Sequence, residues 1–220
     1  VIAVITMTAG NLLGLNQRDL RYILAYSSIA QMGYILLGFG IGLVYNMPLG
    51  FTAGLYYAIA YSMMKAGAFL SADAFAYDAG SFETVKMKGE GARRPLLGIS
   101  FCIFIFGLAG VPFTSGFLGK MLLEQAGMAT SNVSGVVLAL ILALNSALSL
   151  GYYVPVISTI VFDEKATLFC VVERQVKKLP LSAISAVVFL AVITVYLGLF
   201  PESFNWITHA ALELFPRGVV

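Results

Sequence analysis

Long apolar stretches separated by short polar punctuation run the length of the chain. A helix that crosses about 30 Å of hydrocarbon needs about 20 mostly apolar residues, at about 1.5 Å of rise each. Six stretches meet or approach that length: Val1–Leu15, Tyr22–Val44, Leu49–Ala72, Pro95–Gly127, Val133–Phe162 and Leu181–Phe200. Barrel strands would be shorter and would alternate. A lone segment in lipid must satisfy its own backbone hydrogen bonds, so each stretch predicts a helix. The pattern thus predicts an all-α, polytopic membrane protein with six spans over residues 1–200 and a tail over 201–220. In the tail, ESFNWITHAALELF (Glu202–Phe215) is too polar to span, and Trp206 among apolar neighbours predicts an interfacial helix that also holds His209.

The fourth stretch, residues 95–127, is 33 residues long and would measure about 50 Å as one straight helix. That exceeds the bilayer. Pro112, with Gly110 and Gly116, supplies a break. An interrupted helix at membrane depth is tolerated where the freed backbone lines a watery cavity. Thr114 and Ser115 are placed to satisfy some of the freed groups.

Composition narrows the class. Of 220 residues, 60% are hydrophobic and only 11% charged, against about 25% charged in an ordinary soluble domain. That excludes a cytosolic enzyme and a disordered chain. A net charge of +2 is too small for a nucleic-acid-binding surface. Two cysteines, Cys102 and Cys170, cannot build a disulfide framework. No CxxC or His/Cys cluster suggests a metal site, and no phosphate loop, catalytic triad or haem-ligand pair is visible. The apolar start, VIAVITMTAGNLLGL, has no basic region before it and so is not a signal peptide; it reads as a helix cut by the chain boundary.

The loop charges predict an orientation. Arg18, Arg21, Lys86, Lys88, Arg93, Arg94, Lys165, Arg174, Lys177 and Lys178 fall in alternate loops, and the opposite side carries only Arg217. Six spans reproduce this asymmetry, and the basic side is expected to be cytoplasmic, with the chain start and the tail outside. Two basic residues remain, Lys65 and Lys120, and both lie inside predicted spans.

Lys65 lies about eight residues, or roughly 12 Å, from the cytoplasmic end of its stretch. Snorkelling covers part of that gap. A charge near the bilayer centre costs at least about 2.5–3.5 kcal/mol. Burial penalises the charged form, so an amine there can pick up and release a proton. Tyr57, Tyr61 and Lys65 recur at i, i+4, i+8 and share a helix face, which Asp73 continues. The competing reading is a snorkelling lysine with tyrosines that only pack. Lys120 sits just past the predicted break, with Glu124 four residues on. That pair suits either a proton relay or a salt bridge that fixes helix packing.

Weaker signals accompany these. Ser27, Ser28 and Gln31 on the second stretch, and Asn145, Ser149 and Tyr152 on the fifth, recur at helical spacing. They suit one water path or ordinary helix–helix hydrogen bonds. Gly38–Gly42 and Gly50–Gly54 suit close helix packing, and Pro155 suits a kink.

NQRDLRYILAYSSIAQMGY (Asn16–Tyr34) and LAGVPFTSGFLGK (Leu108–Lys120) resemble two signatures of the antiporter-like, proton-translocating subunits of respiratory complex I and of Mrp-type Na+/H+ antiporters. Order and spacing agree across essentially the whole chain. The resemblance implies a fold of about fourteen helices with inverted five-helix repeats, of which this chain matches the last six. It implies that Lys65 is the central-axis lysine of the eleventh helix and Lys120 the terminal lysine of the twelfth. Tyr57 and Tyr61 stand where some subunits carry histidines. Lysine after GFLG and the lack of a long lateral helix favour the N-type subunit, and archaeal relatives in deazaflavin-dependent dehydrogenases fit as well.

Three functions follow as expectations. The first is the proton-translocating subunit of a redox-driven pump that holds no cofactor or catalytic centre itself. Its redox cofactors would sit on peripheral iron–sulfur partners, and further antiporter-like subunits would lie beside it in a prokaryotic cell membrane. The second is a Na+/H+ antiporter subunit of the Mrp type. The third is a membrane scaffold without transport.

Overall fold

The structure is a computed structural model that describes residues 1–162, 179–200 and 202. The expected interfacial tail, with Trp206, His209 and Arg217, and the basic loop positions Lys165, Arg174, Lys177 and Lys178 lie outside the described residues.

Among the described residues every regular element is helical. Helix α1 (Ile2–Leu15) leads by a short turn into α2 (Leu20–Val44). Asp19 caps α2, its carboxylate accepting from the Arg21 N–H at 2.9 Å. Helix α3 (Pro48–Ala79) opens with Pro48 in its first turn, where the missing N–H costs nothing, and stops at Gly80 in the left-handed region (φ 70°). A 3-10 turn (Thr84–Met87) and the one-turn α4 (Glu90–Arg93) precede α5 (Pro95–Ala109). Then come α6 (Ser115–Met128), α7 (Val133–Ile160), which contains Pro155, and α8 (Leu181–Leu199).

Three of these helices, α2, α7 and α8, are long and apolar enough to cross a membrane, or up to four if the bent pair Thr84–Arg93 and α5 is one span. The six predicted stretches therefore do not each correspond to one long apolar helix. Helices α1, α5 and α6 have 14, 15 and 14 residues. Helix α3 has 32 but carries Lys65, Asp73 and Asp78, and it continues seven residues beyond the predicted end at Ala72.

Helix α3 packs on α2, α5, α6 and α8, and so forms the centre of the bundle. Its contact with α2 runs through glycines: a Cβ on Gly50 would lie 2.5 Å from the Gly42 backbone nitrogen, which explains the small-residue pattern there. Phe75 meets Phe101 edge-on at 5.5 Å, and both are fully buried. The outer faces are apolar, with Ile5, Leu144 and Phe189 all more than half exposed (61%, 70% and 64%).

The two basic loops meet at one end of the bundle. Asp19 and Glu83 form an isolated antiparallel bridge, with Leu20 N–H donating to the Phe82 carbonyl and Thr84 N–H to the Arg18 carbonyl. The Gly89 N–H donates to the Thr159 carbonyl, which brings the end of α7 to the same place. The chain turns by 118° between Thr84–Arg93 and α5. At that corner Arg94 pairs with Asp78 at 2.5 Å and Arg93 with Glu90 at 3.2 Å, both carboxylates being buried.

Removing one partner of such a pair leaves an uncompensated charge. Asp78→Ala should therefore lower stability by on the order of 3 kcal/mol. A reduced thermal midpoint of the detergent-solubilised protein checks this, and an unchanged midpoint would count against the corner as a structural lock.

Candidate functional site

The site grows from the interruption between α5 and α6. Helix α5 closes at Gly110, whose φ of 89° lies in the left-handed region, and Phe113 follows with a φ of 69°. In a continued helix the Leu108 carbonyl would accept from the N–H of residue 112, but Pro112 has none. The carbonyl is left open toward the interior. Thr114 restarts the chain as the cap of α6, its hydroxyl accepting from the Phe117 N–H at 3.3 Å. A Cβ on Gly116 would sit 2.0 Å from the Gly107 carbonyl oxygen, so only glycine lets α6 start this close to the end of α5. Ser115 is buried and its hydroxyl has no hydrogen-bond partner among the described residues.

Lys120, on α6, turns back onto the break. Its Nζ donates to the Leu108 carbonyl at 2.8 Å, to the Ala109 carbonyl at 3.1 Å and to Ser146 Oγ at 2.9 Å. Those three oxygens match the three N–H bonds of an ammonium. Its Nζ also lies 5.4 Å from the centre of the Tyr34 ring. Glu124, one turn further, acts on this charge through space, while the hydrogen bonds of the ammonium go to the break and to α7.

Gln31, on α2 and fully buried, joins this end to the rest. Its Nε2 donates to the same Leu108 carbonyl at 3.2 Å and to the Tyr153 hydroxyl at 3.4 Å. Its Oε1 accepts a short hydrogen bond from the Tyr57 hydroxyl. Lys65, one face along α3, donates a short hydrogen bond to Ser27 Oγ, its sole acceptor among the described residues. Ser27 in turn donates to the Leu24 carbonyl at 2.8 Å and lies beside the Tyr153 hydroxyl. Lys65 and Lys120 are 5% and 4% exposed, and neither reaches the surface of the chain.

The other predicted residues divide. Tyr61 faces Ser28, on the same side as Lys65. Asp73 is exposed and lines an open groove of about 560 Å³ with Arg21, Tyr22, Leu70, Phe82 and Phe69. Phe69, which lines that groove, also has its ring centre 5.7 Å from the Lys65 Nζ. Asn145 and Tyr152 turn away from the lysines and bond Asn11 on α1: Asn11 Nδ2 donates to Asn145 Oδ1 at 3.2 Å, and the Tyr152 hydroxyl donates to Asn11 Oδ1 at 2.8 Å. Ser149 bonds its own helix at the Ser146 carbonyl, at 2.6 Å.

Sequence reasoning passed over Tyr34, Asn11, Ser146 and Tyr153. The last two sit one position after Asn145 and Tyr152, at the same spacing of seven, on the neighbouring face of α7. Asn11 Nδ2 donates to the Tyr34 hydroxyl at 3.2 Å, which ties this second cluster to the ring beneath Lys120. Among the described residues no group of His, Cys, Asp and Glu is arranged to hold a metal.

Residues 1–148 match the family model for NADH:quinone oxidoreductase/Mrp antiporter transmembrane proteins. The chain belongs to that family. NADH-quinone oxidoreductase subunit N 2 of Syntrophobacter fumaroxidans is 34% identical over 218 residues, covering 97% of this chain and 43% of that protein. F(420)H(2) dehydrogenase subunit N of Methanosarcina mazei is 34% identical over 232 residues, covering 98% of this chain and 43% of that protein. A chain of respiratory complex I from Thermus thermophilus with bound NADH superposes with a TM-score of 0.79 at 25% identity, covering 97% of this chain and 42% of that one. The chain thus spans less than half the length of the curated relatives it matches. The broken-helix geometry lies inside the family-matched region, and so do both lysines.

Gly110 constrains the site through its backbone conformation as well as its space. An added Cβ would meet Lys120 Cδ at 3.1 Å, in a backbone conformation that L-residues rarely adopt. Gly110→Ala should therefore cost about 1–2 kcal/mol and displace the lysine. Reduced thermal stability together with reduced proton transport by the assembled complex is the expected result, and wild-type values of both would refute the constraint.

Proposed function

We propose that this chain is part of a proton-translocating membrane subunit of a redox-driven, complex I-like pump, with Lys65 and Lys120 as the two proton-carrying groups. The observation that carries this reading is the placement of two buried amines on either side of one polar cluster at an interrupted helix: Lys65 bonds Ser27, which lies beside Tyr153, and Gln31 bonds Tyr153 and the Leu108 carbonyl that Lys120 also bonds. Membership of the family supports it. The break with α5 and α6 acts as one interrupted span, which with α1, α2, α3, α7 and α8 makes six. The ends of the bundle that carry Arg18, Arg21, Lys86, Lys88, Arg93 and Arg94 face the cytoplasm of a prokaryotic cell. Electron transfer and its cofactors belong to peripheral partners, iron–sulfur proteins among them, and other antiporter-like subunits continue the polar axis.

The chemistry follows from the hydrogen bonds. Lys120 has three oxygens around its ammonium and Lys65 has one, so a positive charge is better accommodated at Lys120. The groove lined by Arg21, Asp73 and Phe69 is the nearest opening to Lys65 at the basic end, and in this reading protons reach Lys65 from it. A proton that enters there and reaches Lys65 raises the repulsion felt at Lys120, and the latter then gives its own proton up.

Lys65→Met in the full-length subunit, assembled in its complex in sealed vesicles, tests the reading. The expected result is continued electron transfer with fewer protons moved per electron. Unchanged proton movement in both Lys65→Met and Lys120→Met would instead mark a scaffold. A sodium-dependent pH gradient formed without redox substrate would mark an antiporter.

A further inference from the structure

Gln31 holds a place in the cluster that a proton carrier cannot fill. A relay needs links that accept a proton on one side and give one up on the other. A side-chain amide is neither an acid nor a base near neutral pH. Its orientation is fixed: the Leu108 carbonyl only accepts, so the amide nitrogen must face it, and the amide oxygen is left to accept the hydrogen bond that the Tyr57 hydroxyl donates. The Leu108 carbonyl then accepts from Gln31 on one side and from Lys120 on the other. Two donors converging on one acceptor form a stop, since neither can pass a proton through it.

We propose that Gln31 is a proton-insulating junction: it couples the Lys65 and Lys120 halves mechanically while keeping them separate for protons. Transfer between the halves then requires the Gln31 side chain to leave the Leu108 carbonyl and water to take its place. The helix break sets this junction, because Pro112 supplies the open carbonyl that orients the amide. Tyr57 and Tyr153 clamp the amide from α3 and α7, so a shift of either helix is sufficient to release it. Such a junction prevents the pH gradient from running back through the subunit between turnovers. Gln31 is a positioning residue in this scheme, and the inference rests on the reading of the two lysines as relay ends.

A carboxyl group in the same place is nearly the same size but can both take and give a proton. The full-length subunit carrying Gln31→Glu, assembled in its complex in sealed vesicles, should let an imposed pH gradient decay through the subunit with electron transfer switched off. The expected increase in conductance is about a hundredfold, the low end of what a positioned proton-transfer group contributes. Gln31→Leu, apolar and of similar length, should remain tight to protons. The double variant Gln31→Glu with Lys65→Met should be tight again, which a general packing defect would not produce.

If Gln31→Glu fails to assemble, Gln31→His carries the same expectation. Vesicles with an assembled Gln31→Glu or Gln31→His subunit that hold the gradient as well as the parent overturn the junction. If Lys65→Met and Lys120→Met meanwhile reduce proton movement, the relay stands and only the junction falls. If both lysine variants pump normally, the relay itself has failed.

Discussion

A backbone carbonyl without a helical partner must find another donor or face a cost of about 1–3 kcal/mol. Leu108 is in that position because Pro112 has no N–H to offer it. Lys120 and Gln31 both turn to its oxygen, and the surrounding elements are placed to allow this. Gly110 lets the chain reverse, Gly116 lets α6 begin against α5, and Thr114 caps the new start. The neighbouring Ala109 carbonyl draws in Ser146 as well as Lys120, which brings α7 to the break. Two carbonyls freed at the break thus draw α2, α6 and α7 to the end of α5.

The rest of the bundle supports that meeting point from two ends. At the basic end, the Arg94–Asp78 and Arg93–Glu90 pairs fix the corner from which α5 starts. At the opposite end, the Tyr45 hydroxyl bonds Ser134 Oγ at 2.6 Å, which joins the end of α2 to the start of α7. Between them, glycine contacts let α2 and α3 approach closely enough for Lys65 to reach Ser27 and for Tyr57 to reach Gln31. Two fully buried tyrosines stand at the polar cluster: Tyr34 beneath Lys120, and Tyr57 on Gln31.

The helical class and the place of the interruption were legible because proline and glycine leave strong local marks. The two lysines stood out because an ionisable side chain within an apolar stretch is rare. The partners of those lysines were harder to read. Asn145 and Tyr152 and the pair one step later, Ser146 and Tyr153, have the same spacing, and only the rotation of α7 decides which pair meets Lys120 and Gln31. Glu124 looked like the natural partner of Lys120 from spacing alone, but two carbonyls freed by a break several residues upstream take its place. The end of α3 was also hidden: Asp73 and Asp78 interrupt the apolar run, yet the helix continues because one is exposed and the other pairs with Arg94. Span counting by hydropathy has no access to either compensation.

The cluster around Asn11 has a consequence for where the bundle is stiff. Its amide joins α1 to α7 across 134 positions of sequence, and Asn145 reaches on to Thr8 at 3.3 Å. Sliding α1 along α7 by one turn would strand two amides in an apolar interior, so this seam behaves as a bolted joint. On the far side Lys65 is tethered by one hydroxyl, and the Phe69 ring near it lines an open groove. The two flanks of the polar interior are thus held unequally, the α1–α7 seam by several side-chain bonds and the Lys65 amine by one.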